Sequence, residues 1–312
     1  MDEKSWNDCK TAFRSARYIL FAPVFLILTI SHISRAMRWK ILMQPMGYNP
    51  KLINTFFAVM IGYLANLAFP RLGEVLKCTL LAKYEKVPAD KLVGTILIER
   101  AVDVLSLLLI FFIAFLSQAS IISEFAKQTF SKYFLKSSTE EVTLKVGTLI
   151  AVGIILFFAG KYVMKKYGHI VFIEKIRTVV IGVKTGLSSV REMQNKWVFI
   201  FHSVLIWSCY VVGTYIGFFA IKETAGLPFL AAFPVLAFAS IGMIVTPGGI
   251  GTYPLLIMEV MKLYDIAEPF GFANGNLQWV AQAIIIVAVG FVSLLLIPSF
   301  NKVKNKPPVA VK

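Results

Sequence analysis

"ANLAFPRLGEVLKCTLL", residues 65–81, sets Pro70, Arg71, Gly73 and Glu74 between two apolar runs. Proline removes a backbone donor and clashes with the turn before it, and glycine costs a helix about 1 kcal/mol, so a helix entering this stretch stops in it. Around it, hydrophobic residues make up 57% of the 312 positions, charged residues 16%, and the mean hydropathy is +0.73. Such a composition excludes an ordinary soluble domain and describes a polytopic membrane protein. The interrupted stretch therefore has to be explained inside a membrane.

Runs 18–39, 92–116, 146–164, 197–221 and 277–298 are each apolar and long enough to cross roughly 30 Å of hydrocarbon as helices. Two further runs, 53–82 and 228–263, are too long for one span and are broken near the middle by Pro and Gly. The net charge of +15 lies between the spans. Segment 161–196 holds eight Lys or Arg against Glu174 and Glu192, and 301–312 holds Lys302, Lys304, Lys306 and Lys312 with no acid. Segment 117–145 is nearly balanced, with four bases against three acids. Basic connections stay on the cytoplasmic side, so membrane topology accounts for the charge without nucleic acid.

With 117–145 outside, span 92–116 starts in the cytoplasm, and so does 35–51, which carries four bases and no acid. Run 53–82 then leaves and re-enters the same side, because a single span would strand Arg71, Lys77, Lys83, Lys86 and Lys91 outside. Run 228–263 is a second hairpin of opposite orientation, broken at "TPGGIGTYP", residues 246–254. A pair of Gly/Pro-interrupted segments in corresponding places is the pattern of inverted-repeat transporters. Irregular backbone survives at membrane depth only when buried in protein or lining a wet cavity. The tip residues Pro70, Gly73, Pro247, Gly248, Gly249 and Gly251 are expected to line one.

"TILIERAVDVLSLLL" puts Glu99, Arg100 and Asp103 in an otherwise apolar helix, the two acids roughly 12 and 18 Å from Lys91 along its axis. Spacing of four sets both carboxylates on one face. Each charge costs on the order of 3 kcal/mol at a helix centre, so partners or water must compensate. Arg35, Arg38 and Arg71 are the available cations, with Asn66 and Glu74 nearby in the first hairpin. One reading is an ion-pair staple between helices. The other is a polar groove whose guanidinium groups and tip NH groups take a phosphate, the acids holding the arginines or meeting an ammonium. Cys9, Cys78 and Cys209 form no CxxC, and His32, His169 and His202 are scattered, so no disulfide framework, metal site or cofactor is expected.

"SRAMRWKILMQPMGYNP", "NTFFAVMIGYLANLAFPRLGEVLKCTLLAKYEKVPADKLVGTILIERAVDVL" and "TPGGIGTYP" together resemble the lysylphosphatidylglycerol synthase transmembrane, or flippase-like, family of bacterial and archaeal membrane proteins. The order PRLGE, ERxxD, PGGIG carries the resemblance over nearly the whole chain. It implies that the chain moves or handles phospholipid and that these segments surround the lipid path. It does not imply aminoacyl transfer, which in bifunctional members belongs to a separate soluble domain, so no enzyme and no catalytic residue is expected. Family members commonly carry a span before the counterpart of "DEKSWNDCKTAFRSARY"; none is read here, which leaves the N-terminus outside.

Apolar residues of segment 172–196 repeat at spacings of three and four between basic positions, as in a helix lying on the inner leaflet or packed on the bundle. The expected architecture is one all-α membrane domain with five spans and two opposed re-entrant hairpins. Its parts are 17–116, 117–196, 197–300 and a basic tail, 301–312, in the inner membrane. The expected function is phospholipid transport through a groove formed by Arg35, Arg38, Asn66, Arg71, Glu74, Glu99, Arg100 and Asp103. No GxxxxGK[ST] loop is present, so movement is downhill or ion-coupled, with Glu99 or Asp103 as a proton carrier. A small-solute transporter and a lipid-binding or synthase-partner scaffold remain alternatives. The expected partners are a phosphate-bearing lipid and the membrane, with a homodimer left open.

Overall fold

The computed structural model describes residues 3–69, 71–118 and 193–301. Pro70, the expected span 146–164, the amphipathic segment 172–192 and the tail 302–312 lie outside the described residues. Among the described residues, the regular elements are all helical: α1 Glu3–Ser15, α2 Phe21–Met43, α3 Leu52–Ala68, α4 Leu72–Glu85, α5 Ala89–Ser117, α6 Lys196–Phe218, α7 Ala232–Val245, α8 Thr252–Lys262 and α9 Glu268–Asn301, with short 3-10 turns at some ends. Pro23, Pro234, Pro254 and Pro269 each fall in the first turn of a helix, where the missing NH has no intrahelical acceptor.

Among the described residues, three helices are long and apolar enough to cross a membrane: Tyr18–Met46, Lys196–Phe218 and Glu268–Asn301. Their outer faces leave large apolar side chains uncovered, among them Ile284, Phe291 and Leu295 on α9, and Leu108, Phe112 and Phe115 do the same on α5. So much uncovered hydrocarbon fits lipid contact and not water. Helix α5 is 29 residues long, with its charges confined to the first half. Helix α9 begins well before the expected 277, because Asn274 is not a loop residue. Asn274 Nδ2 donates to the Gly217 carbonyl and to Thr224 Oγ1, both at 2.9 Å, and Gln278 Nε2 donates to Asn274 Oδ1 at 2.7 Å. Satisfied in this way, the amides are buried in the helix.

Helices α3 and α4 form an antiparallel hairpin. At the open end Asn54 of α3 donates to the Glu85 carboxylate of α4 and, at 3.0 Å, to Asn301 Oδ1 at the end of α9. At the tip Gly73 N donates to Asn66 Oδ1 at 2.8 Å, and Gly62 and Gly73 touch so closely that a Cβ on Gly73 would lie 1.9 Å from the Gly62 carbonyl oxygen. Helices α7 and α8 repeat this design: Thr252 Oγ1 donates to the Gly242 carbonyl at 2.8 Å, and a Cβ on Gly242 would fall 2.9 Å from Tyr253 Cα. Both hairpins break at the residue before a proline, Phe69 (φ −136°, ψ 122°) and Thr246 (φ −121°, ψ 153°), since a following proline disfavours helical dihedrals. Gly248, Gly249 and Gly251 then turn the second tip with φ of 60°, 74° and 77°.

The open ends of the two hairpins lie at opposite ends of the bundle. Asn54, Glu85 and Asn301 share one end with Gln44 and Asn195, which are bonded at 3.0 Å. At the other end Arg17 N donates to the Ala220 carbonyl at 2.9 Å, Cys9 and Ala12 of α1 bury against Ala220 and Ala273, and Lys262 of α8 meets Glu268 of α9 at 2.9 Å. The tips meet inside: a Cβ on Gly248 would lie 2.9 Å from Leu67 Cδ2 near the end of α3, and the Gly248 carbonyl accepts from Trp279 Nε1 at 2.7 Å.

Candidate functional site

Helices α2, α4 and α5 place charged side chains on facing stripes, Arg35 and Arg38 three apart, Glu99 and Asp103 four apart. Asp103 takes Arg35 Nη1 on Oδ2 and Arg38 Nη2 on Oδ1, each at 2.6 Å. Glu99 takes Lys77 Nζ at 2.7 Å, Arg35 Nη1 at 3.2 Å and Arg38 Nη2 at 3.7 Å. Aromatic and hydroxyl groups seal this layer: Lys77 lies 4.5 Å from the Trp39 ring centroid, Trp39 Nε1 donates to Thr95 Oγ1 at 2.8 Å, and Arg38 reaches Ser203 Oγ at 3.3 Å. Glu99 and Arg38 have no exposed surface. Charges so buried offset their desolvation only when paired, and this layer is a structural staple.

A second layer is more open. Arg100 Nε stands 3.1 Å from Glu74 Oε1, the two side chains 42% and 34% exposed. Arg71, exposed at the first hairpin tip, has a left-handed backbone (φ 68°), and among the described residues no carboxylate pairs with it. Arg35, Arg71, Arg100 and Asp103 border one end of a cavity of about 620 Å³. From there the cavity runs past His32, Leu28 and Val24 of α2 to Leu20, walled by Leu236 of α7, Tyr210 and Gly217 of α6, and Ala281 of α9. Leu20 and Arg35 are separated by about 22 Å of helix rise. The void therefore has a cationic end and a long, mostly apolar body, and Tyr63, Trp207, Ser240 and Gln282 supply scattered polar atoms.

The structure brings Arg35, Arg38, Glu99 and Asp103 into one network and sets Glu74 and Arg100 beside it. Asn66 stands apart, its side chain holding the hairpin turn through Gly73 N. At the second tip Gly249 N donates to the Thr246 carbonyl at 3.0 Å and Ile250 N to the Pro247 carbonyl at 3.3 Å, so these NH groups serve the turn itself. Pro247, Gly248, Gly249 and Gly251 are not among the residues bordering the cavity, and neither is Gly73. Lys77 completes the staple without having been singled out in the sequence. Its signal was present: a lysine inside "EVLKCTLL", three residues after Glu74. Tyr63, Trp207 and Tyr210 carried none, because aromatics are ordinary in membrane helices.

A family model for the lysylphosphatidylglycerol synthase TM region matches residues 2–290, which include both hairpins and every member of the charge network. The chain belongs to this family. A curated relative in the same comparison is the UPF0104 membrane protein MJ1595 of Methanocaldococcus jannaschii, 24% identical over 305 residues, covering 93% of this chain and 88% of the relative. No solved structure matches. The lysylphosphatidylglycerol synthase TM family membership and the uncovered apolar helix faces identify a multi-pass integral membrane protein.

Proposed function

We propose that this chain moves a phosphate-bearing lipid between the leaflets of the inner membrane. The head group enters at Arg71 and Arg100, and the tail lies along the apolar wall of the cavity. The observation that carries the reading is the shape and charge of that cavity: cations at the meeting point of hairpin and bundle, then a mostly apolar corridor toward Leu20. Cations that form bidentate contacts suit phosphate oxygens, and the corridor spares a tail from water. In this account α2, α5, α6 and α9 cross the membrane, while α3/α4 and α7/α8 are re-entrant. The end bearing Lys51, Lys83, Lys86 and Lys91 faces the cytoplasm. Movement is downhill, since Glu99 and Asp103 are each engaged by several cations. The chain performs no covalent chemistry.

The test is reconstitution. Vesicles containing the protein and a trace of phospholipid labelled on a short acyl chain, its phosphate head left free, are treated with a membrane-impermeant quencher, and loss of inner-leaflet signal gives the translocation rate. The rate should exceed that of protein-free vesicles and fall about tenfold or more in Arg71→Gln, which removes one charge-assisted contact. Equal rates with and without protein overturn the proposal. A scaffold that holds lipid without moving it would give that result.

A further inference from the structure

Resting on that reading, we infer that the cargo's head is a phosphate without an amine, with a phosphomonoester or diphosphate favoured over a phosphodiester and a zwitterionic or cationic head rejected. Charge is the first ground. Around the cavity end and the staple behind it stand five cations, Arg35, Arg38, Arg71, Lys77 and Arg100, against three carboxylates, Glu74, Glu99 and Asp103. Ionisable groups at membrane depth, buried like Lys77 or open to the cavity like Arg71, pair with a counter-charge. The surplus of two positive charges matches a phosphomonoester, which carries about −1.5 to −2 at neutral pH, better than a diester carrying about −1.

The second ground is that the cavity wall offers an ammonium no free carboxylate. Asp103 is the one carboxylate among the residues bordering the cavity, and each of its oxygens is 2.6 Å from an arginine nitrogen. An aromatic cage would be the other way to hold a cationic head. The Tyr63 ring already has Arg35 6.0 Å from its centroid, and Arg35 donates to Tyr210 Oη at 3.4 Å. The third ground is unused hydrogen-bonding capacity. Arg35 and His32, 6% and 7% exposed, and Trp207 all border the cavity, and Arg35 Nε, His32 Nδ1 and Trp207 Nε1 have no partner among the described residues. Buried polar atoms seldom stay unpaired, and two of these three are donors only, which suits an anion over a cation.

Binding is measured separately from transport. The intact protein in detergent is melted with dilute short-chain lipids of one acyl composition bearing phosphate, phosphoglycerol, phosphoethanolamine or trimethylammonium heads, and with inorganic phosphate, because a ligand that binds the folded state raises the melting temperature. The monoester should bind about tenfold tighter than the phosphoglycerol lipid, the other two lipids should give no shift, and Arg71→Gln should reduce the monoester's advantage. Equal stabilisation by the phosphoethanolamine or trimethylammonium lipid overturns the inference, whatever the transport assay shows. Stabilisation by inorganic phosphate equal to that by the monoester lipid keeps the charge selection but overturns the lipid reading beneath it.

Discussion

Replacing Glu99 with glutamine keeps the shape of the side chain and removes its charge. The three cations around Glu99 do not depend on it equally. Arg35 and Arg38 retain Asp103, each at 2.6 Å, whereas Lys77 has Glu99 alone as a carboxylate partner among the described residues. Glu99→Gln therefore leaves one buried ammonium uncompensated beneath the Trp39 ring. Breaking a buried pair from one side costs about 3–5 kcal/mol. At about 2–4 °C per kcal/mol, the apparent melting temperature falls by on the order of 10 °C. Lys77→Met in the same chain removes the orphan, and replacing both members of a buried pair is often neutral. The double variant should recover most of the loss, a coupling of about 2 kcal/mol or more in a double-mutant cycle. Melting followed by size-exclusion chromatography in detergent reads both values. A Glu99→Gln protein that melts with the wild type, or a double variant no better than the single, would refute the staple.

Gly73→Ala should separate α3 from α4 and lower the yield of folded protein, since its Cβ would overlap the Gly62 carbonyl at 1.9 Å; Gly94→Ala, with nothing within 4 Å, should match or slightly exceed wild-type stability, as comparative thermal melts will show. Arg71→Gly relieves the left-handed strain and should melt above Arg71→Ala by the equivalent of about 1 kcal/mol, with both variants equally poor in lipid translocation. In a background without Cys9, Cys78 and Cys209, single cysteines at Lys86 and Lys196 should react with an impermeant thiol reagent from one side of the membrane, and cysteines at Lys222 and Asp265 from the other; reaction of position 86 from the same side as 222 would make α3 an ordinary span.

The two hairpins were legible because their signals are local: a proline bars helical dihedrals at the residue before it, and three glycines permit the left-handed turn of the second tip. The charge network was legible in part. Spacings on α2 and α5 identify Arg35, Arg38, Glu99 and Asp103, but nothing in the sequence says that Lys77 of the returning helix will fill the remaining side of Glu99. The start of α9 was hidden because Asn274 looks like a loop residue until Gly217 and Thr224 are seen to satisfy it. Asn66 reads as a polar residue needing a ligand, while in the fold its carbonyl is taken by Gly73 N, seven residues on. The cavity was not legible at all. Its apolar wall is assembled from α2, α6, α7 and α9, and no periodicity distinguishes a residue such as Leu236 or Ala281 that borders a void from one that packs in a core.

Filling the cavity is the most direct test of whether lipid travels through it. Ser240 borders the corridor on α7, and Leu295 points away from the bundle on α9 with 73% of its surface uncovered. A tryptophan at 240 adds bulk in the lipid path, and one at 295 adds the same bulk outside it. In reconstituted vesicles with matched amounts of folded protein, Ser240→Trp should bring translocation of the acyl-labelled lipid down to the protein-free rate while Leu295→Trp stays at the wild-type rate. Undiminished translocation by Ser240→Trp would contradict the account, because the lipid would then be moving by a route other than this cavity.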